Sequence, residues 1–250
     1  MTVTTARCSL SLPPLDRPAD VAARVASVLR VAIVGGDLAA GERLVPERIA
    51  DELGVSRPPV MAAMRQLQRE GLVTIGGNGR PYVAGLTPKY VRDLYRFRLL
   101  LDEAVVATVL GRVPPEAEAR LRSVTAEMAA RAEEGALTLF AELDLAFHTA
   151  CLALADNQFL LGAWQTMSDV AHALLTVTDR LYAPLPQIAG FHQAILDGLC
   201  AGDEAATLAA LHQHYEAGER LLAGPIPEAT SQGADAEGTG ASRATEDGVD

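Results

Sequence analysis

Apolar residues recur at helical spacing along most of the chain, and glycines and prolines mark the breaks between helices. From Pro18 the apolar positions share one helical face up to Gly35 and Gly36. Two shorter helical patterns follow, and then two short apolar stretches flank a glycine-rich tip. The pattern predicts helices over 18–35, 46–53 and 56–70 and strands over 72–75 and 82–84.

Two short helices joined by a tight glycine turn and followed by a hairpin are typical of a winged helix-turn-helix. Beyond this unit every apolar stretch has helical spacing, with Thr87 and Pro88 as the first N-terminal signal. Helices are predicted over about 87–111, 114–135, 137–155, 157–181, 185–201 and 203–223. The expected fold is mainly α, with an N-terminal winged helix-turn-helix and a C-terminal antiparallel all-α bundle.

Composition and charge divide the chain into the same parts. Residues 1–86 carry 10 arginines against 8 acidic residues, although the whole chain has a net charge of −11. A slightly basic head on an acidic body is typical of a nucleic-acid-binding domain joined to another unit. The expected organisation is a flexible segment 1–17, a DNA-binding domain 18–86, a helical domain 87–224 and a disordered acidic tail 225–250.

Several classes of protein are excluded by composition. No run of about 18 uncharged apolar residues is present, which argues against a membrane span, and the first residues lack the apolar core of a secretory signal. The three cysteines are far apart, so a disulfide framework is not expected. These features favour a cytoplasmic protein.

The third helix of the winged unit carries the candidate DNA contacts. In a helix-turn-helix the N-terminal residues of the second helix face the base edges in the major groove. Arg57 stands at that end, where it can bind guanine or a phosphate. The alternative is that these arginines are solvated surface charges. The candidate set comprises Arg48, Ser56, Arg57, Arg65 and, at the tip of the hairpin, Asn78 and Gly79.

Four polar residues fall on predicted inward faces of the helical domain. Asp144 and His148 are one turn apart on one helix, whereas His192 and His214 lie on two others. Imidazoles and a carboxylate that converge in a bundle suit a divalent metal such as Zn²⁺, Ni²⁺ or Mn²⁺. The alternative for each histidine is a hydrogen-bonded core residue. Trp164 and Phe159 are predicted as core.

The segment from Ile33 to Val73 resembles the DNA-binding domain of the GntR family of bacterial transcriptional regulators. The matching motifs are Gly-Glu-Arg-Leu, the Leu-Gly-Val-Ser-Arg turn, a Pro-Val pair and a closing Glu-Gly-Leu-Val. Two positions depart from the family pattern: Pro58 replaces a threonine and Met61 replaces an arginine that reads bases. Phosphate contacts are still expected, but no base preference is inferred from the family.

The segment from Tyr90 to Leu222 resembles the helical ligand-sensing FCD domain of the FadR-like subfamily. Leu-Tyr-Arg-Phe-Arg at 94–98, Asp-Leu-Ala-Phe-His at 144–148 and Phe191-His192 carry the match. The resemblance implies that a metal binds at the four inward residues and that a small carboxylate effector coordinates it. Arg98 also points inward; it is either paired with Asp102 one turn away or, as the resemblance favours, an anchor for the effector.

These features together predict a DNA-binding regulator rather than an enzyme. Its partners would be a pseudo-palindromic double-stranded operator, a small carboxylate metabolite and a second copy of the chain. Repression relieved by the effector is the expected mode. Two alternatives were weighed: a regulator whose helical domain is metal-free, and a metalloenzyme, which the chain's lack of an HExxH-type motif disfavours.

Overall fold

The computed structural model describes residues 19–182 and 185–222. The predicted flexible segment 1–17 and acidic tail 225–250 lie outside the described residues. The fold is mainly helical with one two-stranded antiparallel sheet, as predicted. In chain order the elements are α1 (Ala19–Gly35), α2 (Pro46–Leu53), α3 (Arg57–Arg69), β1 (Val73–Ile75), β2 (Pro81–Val83), α4 (Pro88–Val109), α5 (Pro115–Glu133), α6 (Leu137–Leu154), α7 (Gln158–Tyr182), α8 (Leu185–Ala201) and α9 (Glu204–Leu222).

The first three helices and the hairpin form the winged helix-turn-helix. Helix α2 ends at Gly54, whose φ of 63° is in the left-handed region that glycine adopts without strain. The chain then turns directly into α3. Strands β1 and β2 pair in antiparallel register, with Val73 opposite Val83. The unit closes over a core that includes Val60, Leu67 and Leu72, each fully buried.

Helices α4 to α9 pack into the predicted bundle. Helix α8 packs against α5 and α9, and α6 packs against α5 and α7, while α4 packs against α9. The inward stripe of α4 is buried along its whole length, from Val91 to Val109. By length and composition α6 could cross a membrane, but it is the core helix on which Asp144 and His148 are buried.

One predicted core residue is on the surface. Trp164 is 1% exposed, as expected, but Phe159 is 80% exposed, so the prediction for Phe159 is wrong. The two residues are five positions apart on α7, and five residues of helix rotate a side chain by about 140°. One helix face therefore cannot bury both rings.

A buried ion pair of the winged unit lies at its contact with the helical domain. Arg30 of α1 donates through Nε and Nη2 to both carboxylate oxygens of Glu70, at 2.8 and 2.7 Å. The same Nη2 lies 3.2 Å from Asp169 Oδ2 on α7. The winged unit is thus attached to the helical domain through α1 and α7.

Candidate functional site

The four predicted metal ligands come together in the interior of the bundle. Asp144 and His148 come from α6, His192 from α8 and His214 from α9. One ligand atom from each residue lies within 4.8 Å of the others, and all four side chains are buried. The i,i+4 spacing on α6 places the first two on one face, and the contacts of α8 with α9 bring the other two to it.

Hydrogen bonds fix how two of the three imidazoles are oriented. Nδ1 of His192 lies 2.9 Å from the carbonyl oxygen of Ile188. Because a carbonyl only accepts, Nδ1 carries the hydrogen and donates it. Nε2 of His192 then faces Asp144 Oδ1 at 3.0 Å. Nδ1 of His148 lies 2.8 Å from Asp102 Oδ2, which leaves its Nε2 directed toward Asp144.

Three imidazole nitrogens in this cluster lack a hydrogen bond. Nε2 of His148 and both ring nitrogens of His214 have no hydrogen-bond partner among the described residues. Buried polar atoms are normally paired, because an unpaired one loses its hydration without compensation. Nitrogen lone pairs that face a carboxylate in a dry interior are the arrangement that a divalent cation satisfies.

The electrostatics of the cluster favour the protonation states that bind metal. Burial alone would raise the pKa of Asp144, but the Arg98 guanidinium, together with His148 and His192, holds it well below the ordinary value. Burial lowers the pKa of His214 well below its ordinary value, and His192 and His148 add to this effect. Asp144 is therefore a carboxylate and His214 a neutral imidazole, the forms required of ligands.

Arg98 does not form the ion pair with Asp102 that was one of the two alternatives predicted from the sequence. Its Nη2 donates to Asp144 Oδ2 at 2.9 Å, 46 residues away, instead of to Asp102. Three aromatic rings surround the guanidinium at 5.4 to 5.7 Å from its central carbon: those of Tyr95, Trp164 and Tyr215. Nε of Arg98 is buried and has no partner in the part of the chain that the structure describes.

Two residues of the cluster's surroundings were not recognised from the sequence as part of the site. Asp102 of α4 and Tyr215 of α9 meet behind His148, where the Tyr215 hydroxyl donates to Asp102 Oδ2. Both were visible as polar positions on inward helical stripes, which was the available signal. A cavity of about 10 Å³ adjoins Asp102 and His148 and is otherwise lined mainly by apolar side chains such as Phe147 and Ile195. This volume holds about one water molecule, so a larger ligand requires the walls to move.

Two of the three arginines predicted to contact DNA are exposed and paired with acids. Arg57 lies 3.2 Å from Glu47 at the start of α2, and Arg48 lies 3.4 Å from Glu52 one turn along the same helix. Exposed pairs of this kind are weak, each contributing roughly 0 to 1 kcal/mol. These pairs keep the guanidinium groups on the surface of the helix-turn-helix. Because the pairs are weak, a DNA phosphate can replace the carboxylate at little cost.

The remaining candidates lie at the start of α3 and in the wing. Ser56 is the N-cap of α3, but its hydroxyl accepts no capping hydrogen bond. Arg65 is exposed on the same helix. Asn78 donates to the Tyr82 hydroxyl and accepts from the backbone N–H of Arg80, so its side chain shapes the wing. Gly79, with a φ of 73°, provides the turn.

Comparison with known proteins assigns both halves of the chain. Residues 21–83 match the family described as bacterial regulatory proteins, gntR family, and residues 93–217 match the FCD domain. The chain is 27% identical over 203 residues to the gluconate operon transcriptional repressor of Bacillus subtilis, covering 79% of this chain and 83% of that protein.

Solved structures of similar fold are also known. Escherichia coli McbR/YncC has a TM-score of 0.62 at 18% identity, covering 81% of this chain and 96% of its own. A GntR regulator from Rhodococcus sp. RHA1, described as putative, has a TM-score of 0.61 at 24% identity, covering 82% and 99%. At these identities the structural likeness supports the fold alone.

Proposed function

Because the chain belongs to the gntR family of bacterial regulatory proteins and carries an FCD domain, it is a DNA-binding transcriptional regulator, and we propose a specific mode of action for it. The chain acts as a cytoplasmic repressor. It binds a pseudo-palindromic operator as a homodimer. A small carboxylate, bound at a metal ion in the helical domain, lowers its affinity for the operator. Members of this family are regulators and not enzymes, in agreement with the sequence prediction.

The observation that carries the proposal is the buried cluster of Asp144, His148, His192 and His214. Its donor set, one carboxylate and three imidazoles, fits Zn²⁺ best and also suits Ni²⁺ or Mn²⁺. The unpaired nitrogens of His148 and His214 support this fit, since a purely structural cluster would leave them unsatisfied. The bound ion would supply a Lewis acid to which a carboxylate oxygen of the effector binds.

Arg98 would assist effector binding from beside the metal. Its Nη2 holds Asp144, and its unpaired Nε retains a donor for a carboxylate. A guanidinium that contacts both Asp144 and the effector changes position when the effector binds. The cavity of about 10 Å³ must widen in the same event.

Repression and dimerisation rest on the relatives and on symmetry. The relative from Bacillus subtilis is a transcriptional repressor. One winged unit presents one recognition helix, α3, whereas a dimer presents two to half-sites about one DNA turn apart. Effector and operator binding must then weaken each other by the same factor.

The first test is elemental analysis of the purified full chain, prepared without chelator. We expect one metal ion per chain, lost on chelation and absent from the His148→Ala, His214→Ala double variant. The His212→Ala variant is the matched control, because His212 is exposed on the same helix as His214 and pairs with Glu103. A metal-free wild type would exclude the metal part of the proposal.

A screen of small carboxylates by thermal unfolding then tests the effector. A ligand at about 100 times its Kd stabilises the folded state by roughly 2.7 kcal/mol. We expect a carboxylate to raise the melting temperature of the metal-loaded chain and to leave the chelated chain unchanged. Equal shifts with and without metal would contradict a metal-bound effector.

The operator contacts are tested by salt-dependent binding to DNA selected from a random pool. Replacing Arg57 by Gln is expected to weaken binding to DNA. For an Arg57 that contacts a phosphate, the slope of log Kobs against log salt concentration should become shallower by about 0.9. Arg112→Gln is the control, since Arg112 is exposed in the helical domain. Unchanged binding in Arg57→Gln would remove Arg57 from the interface.

A further inference from the structure

The carboxylate of Asp102 lies beside Nδ1 of His148, on the side of the ring away from the cluster, and Asp102 is not one of the proposed metal ligands. We infer that Asp102 is a positioning residue: it fixes the tautomer and orientation of His148, and Tyr215 holds Asp102 in place. This inference deepens the proposed function, because it concerns how the same site is prepared to bind a metal. It rests on contacts of three buried side chains from three helices, α4, α6 and α9.

The geometry around His148 has two distinct sides. Nδ1 is 2.8 Å from Asp102 Oδ2, and the two side chains are 2% and 6% exposed. A carboxylate accepts hydrogen bonds, so Nδ1 carries the ring hydrogen. Nε2 then has a lone pair, and it faces Asp144 Oδ1 at 3.7 Å. Asp102 therefore selects the tautomer whose free nitrogen points into the cluster.

Tyr215 completes the arrangement from α9. Its hydroxyl donates to the same oxygen, Asp102 Oδ2, and lies 3.5 Å from His148 Nδ1. A tyrosine hydroxyl is protonated at neutral pH, so it remains a donor. Asp102 thus accepts one bond from the ligand and one from a fixed neighbour.

The other two imidazoles are held differently. Nδ1 of His192 donates to the backbone carbonyl of Ile188 within its own helix, and His214 has no hydrogen-bond partner within the described ranges. Among the described residues, His148 is the imidazole of the cluster that is bonded to a carboxylate from outside the four proposed ligands. A carboxylate on the far nitrogen makes the imidazole a stronger donor to metal, and such partners typically contribute 10- to 100-fold to metal affinity.

The test uses the full chain with Asp102→Asn, and with Glu103→Gln as the matched control. Glu103 is the next residue on α4, and its carboxylate pairs with His212 at 3.1 Å on the surface. Both variants remove one carboxylate from a histidine, but only one of these histidines belongs to the cluster. Two properties are measured: Zn²⁺ affinity by competition with a chromophoric chelator, and the ¹⁵N shifts of the His148 ring in metal-free protein.

The wild type and Glu103→Gln are expected to show His148 with hydrogen on Nδ1 and the same Zn²⁺ affinity. Asp102→Asn is expected to bind Zn²⁺ roughly 10- to 100-fold more weakly and to show a second His148 tautomer, because an amide can donate to Nδ1 as well as accept from it. Tyr215→Phe keeps the ring and removes only the hydroxyl; a smaller loss of affinity in the same direction is expected. If Asp102→Asn does not fold, Tyr215→Phe tests in its place whether Asp102 positions His148.

The outcomes separate the inference from the proposed function. Wild-type affinity and an unchanged tautomer in Asp102→Asn, or in Tyr215→Phe where that variant must decide, would overturn the inference and leave the metal site intact. A wild type that binds no Zn²⁺ would overturn the proposed metal site. In that case the ring shifts of the metal-free chain still decide whether Asp102 sets the tautomer.

Discussion

The three histidines of the cluster differ in how the protein holds them. His192 has both ring nitrogens, and His148 has one, within hydrogen-bond distance of an oxygen of the protein. His214 has neither nitrogen bonded in the described part of the chain, although its ring is 4.5 Å from that of His192. Burial of an unpaired polar group costs roughly 1 to 3 kcal/mol. His214 is therefore retained at the expense of stability in the metal-free protein.

The substitution His214→Leu should separate stability from metal binding. Leucine fills a similar space and removes the unpaired polar atoms, so the metal-free variant is expected to be about 1 kcal/mol more stable than metal-free wild type. Zn²⁺ should stabilise the wild type and have little effect on the variant. Urea unfolding in chelator and in Zn²⁺ measures both quantities.

The control for this prediction is His212→Leu, two residues earlier on α9. His212 is about half exposed and pairs with Glu103, so its loss should change stability by less than about 1 kcal/mol and leave the response to Zn²⁺ intact. If metal-free His214→Leu were instead less stable than wild type, His214 would have a structural partner within the protein.

At this scale the ligands were predictable, but their partners were not. Asp144 and His148 could be placed on one inward face because they are four positions apart on a helix. A pair between Arg98 and Asp102 was one of two alternatives left open by the sequence, and the structure pairs Arg98 with Asp144. That choice depends on how α4 and α6 pack, and helical periodicity within one segment contains no information about it.

At the scale of elements, the cluster depends on the close approach of α8 and α9. Gly198 of α8 faces Thr207 of α9, where an added Cβ would lie 2.6 Å from the Thr207 hydroxyl oxygen and 3.0 Å from its backbone nitrogen. Only a residue without a side chain permits this distance. The two helices carry His192 and His214, so the glycine sets the separation of two proposed ligands.

Gly198→Ala is expected to destabilise the protein by about 1 to 3 kcal/mol, because overpacking forces the two helices apart. The matched control is Gly190→Ala on the same helix, where nothing lies within 4 Å of the added Cβ. There alanine should stabilise by about 0.5 to 1 kcal/mol through helix propensity. Urea unfolding of both variants measures the contrast; equal effects would show that α9 accommodates the methyl group.

The elements themselves were largely predictable. Helix boundaries were placed within a few residues because their end signals are local, as at Thr87, whose hydroxyl accepts from the Tyr90 N–H. Phe159 was misplaced because hydrophobicity alone does not say which side of a helix end faces solvent. The close contact at Gly198 was also not foreseen, since it depends on a residue in the next helix.

At the scale of the whole molecule, Arg30 joins three helices. It is 3% exposed, and its bidentate partner Glu70 follows the last residue of α3. Gln66 donates to the same carboxylate at 3.0 Å. Asp169, half exposed on α7, completes the contact from the helical domain. Arg30 cannot be singled out from the sequence, because its partners are 40 and 139 positions away.

Helix α7 extends from this junction to the buried cluster of proposed metal ligands. Trp164 donates its indole N–H to Thr149 of α6 at 2.7 Å, and its ring lies 6.2 Å from that of His148. Asp169 is five residues further along the same helix. The contact with Arg30 and the contact with the cluster therefore lie on the same helix. The strength of the Arg30 contact decides whether the winged unit moves together with α7.

Replacement of Arg30 should reveal which of its two contacts holds the junction. Arg30→Met leaves the Glu70 carboxylate buried without its charge partner, so a loss of about 3 to 5 kcal/mol is expected. Asp169→Asn removes only a half-exposed partner and should cost less than about 1 kcal/mol. The double variant Arg30→Met, Glu70→Leu replaces the buried pair by apolar groups and should recover most of the loss. Urea unfolding at neutral pH measures all three; a small loss in Arg30→Met would mean that water reaches Glu70 and that neither contact of Arg30 contributes much to stability.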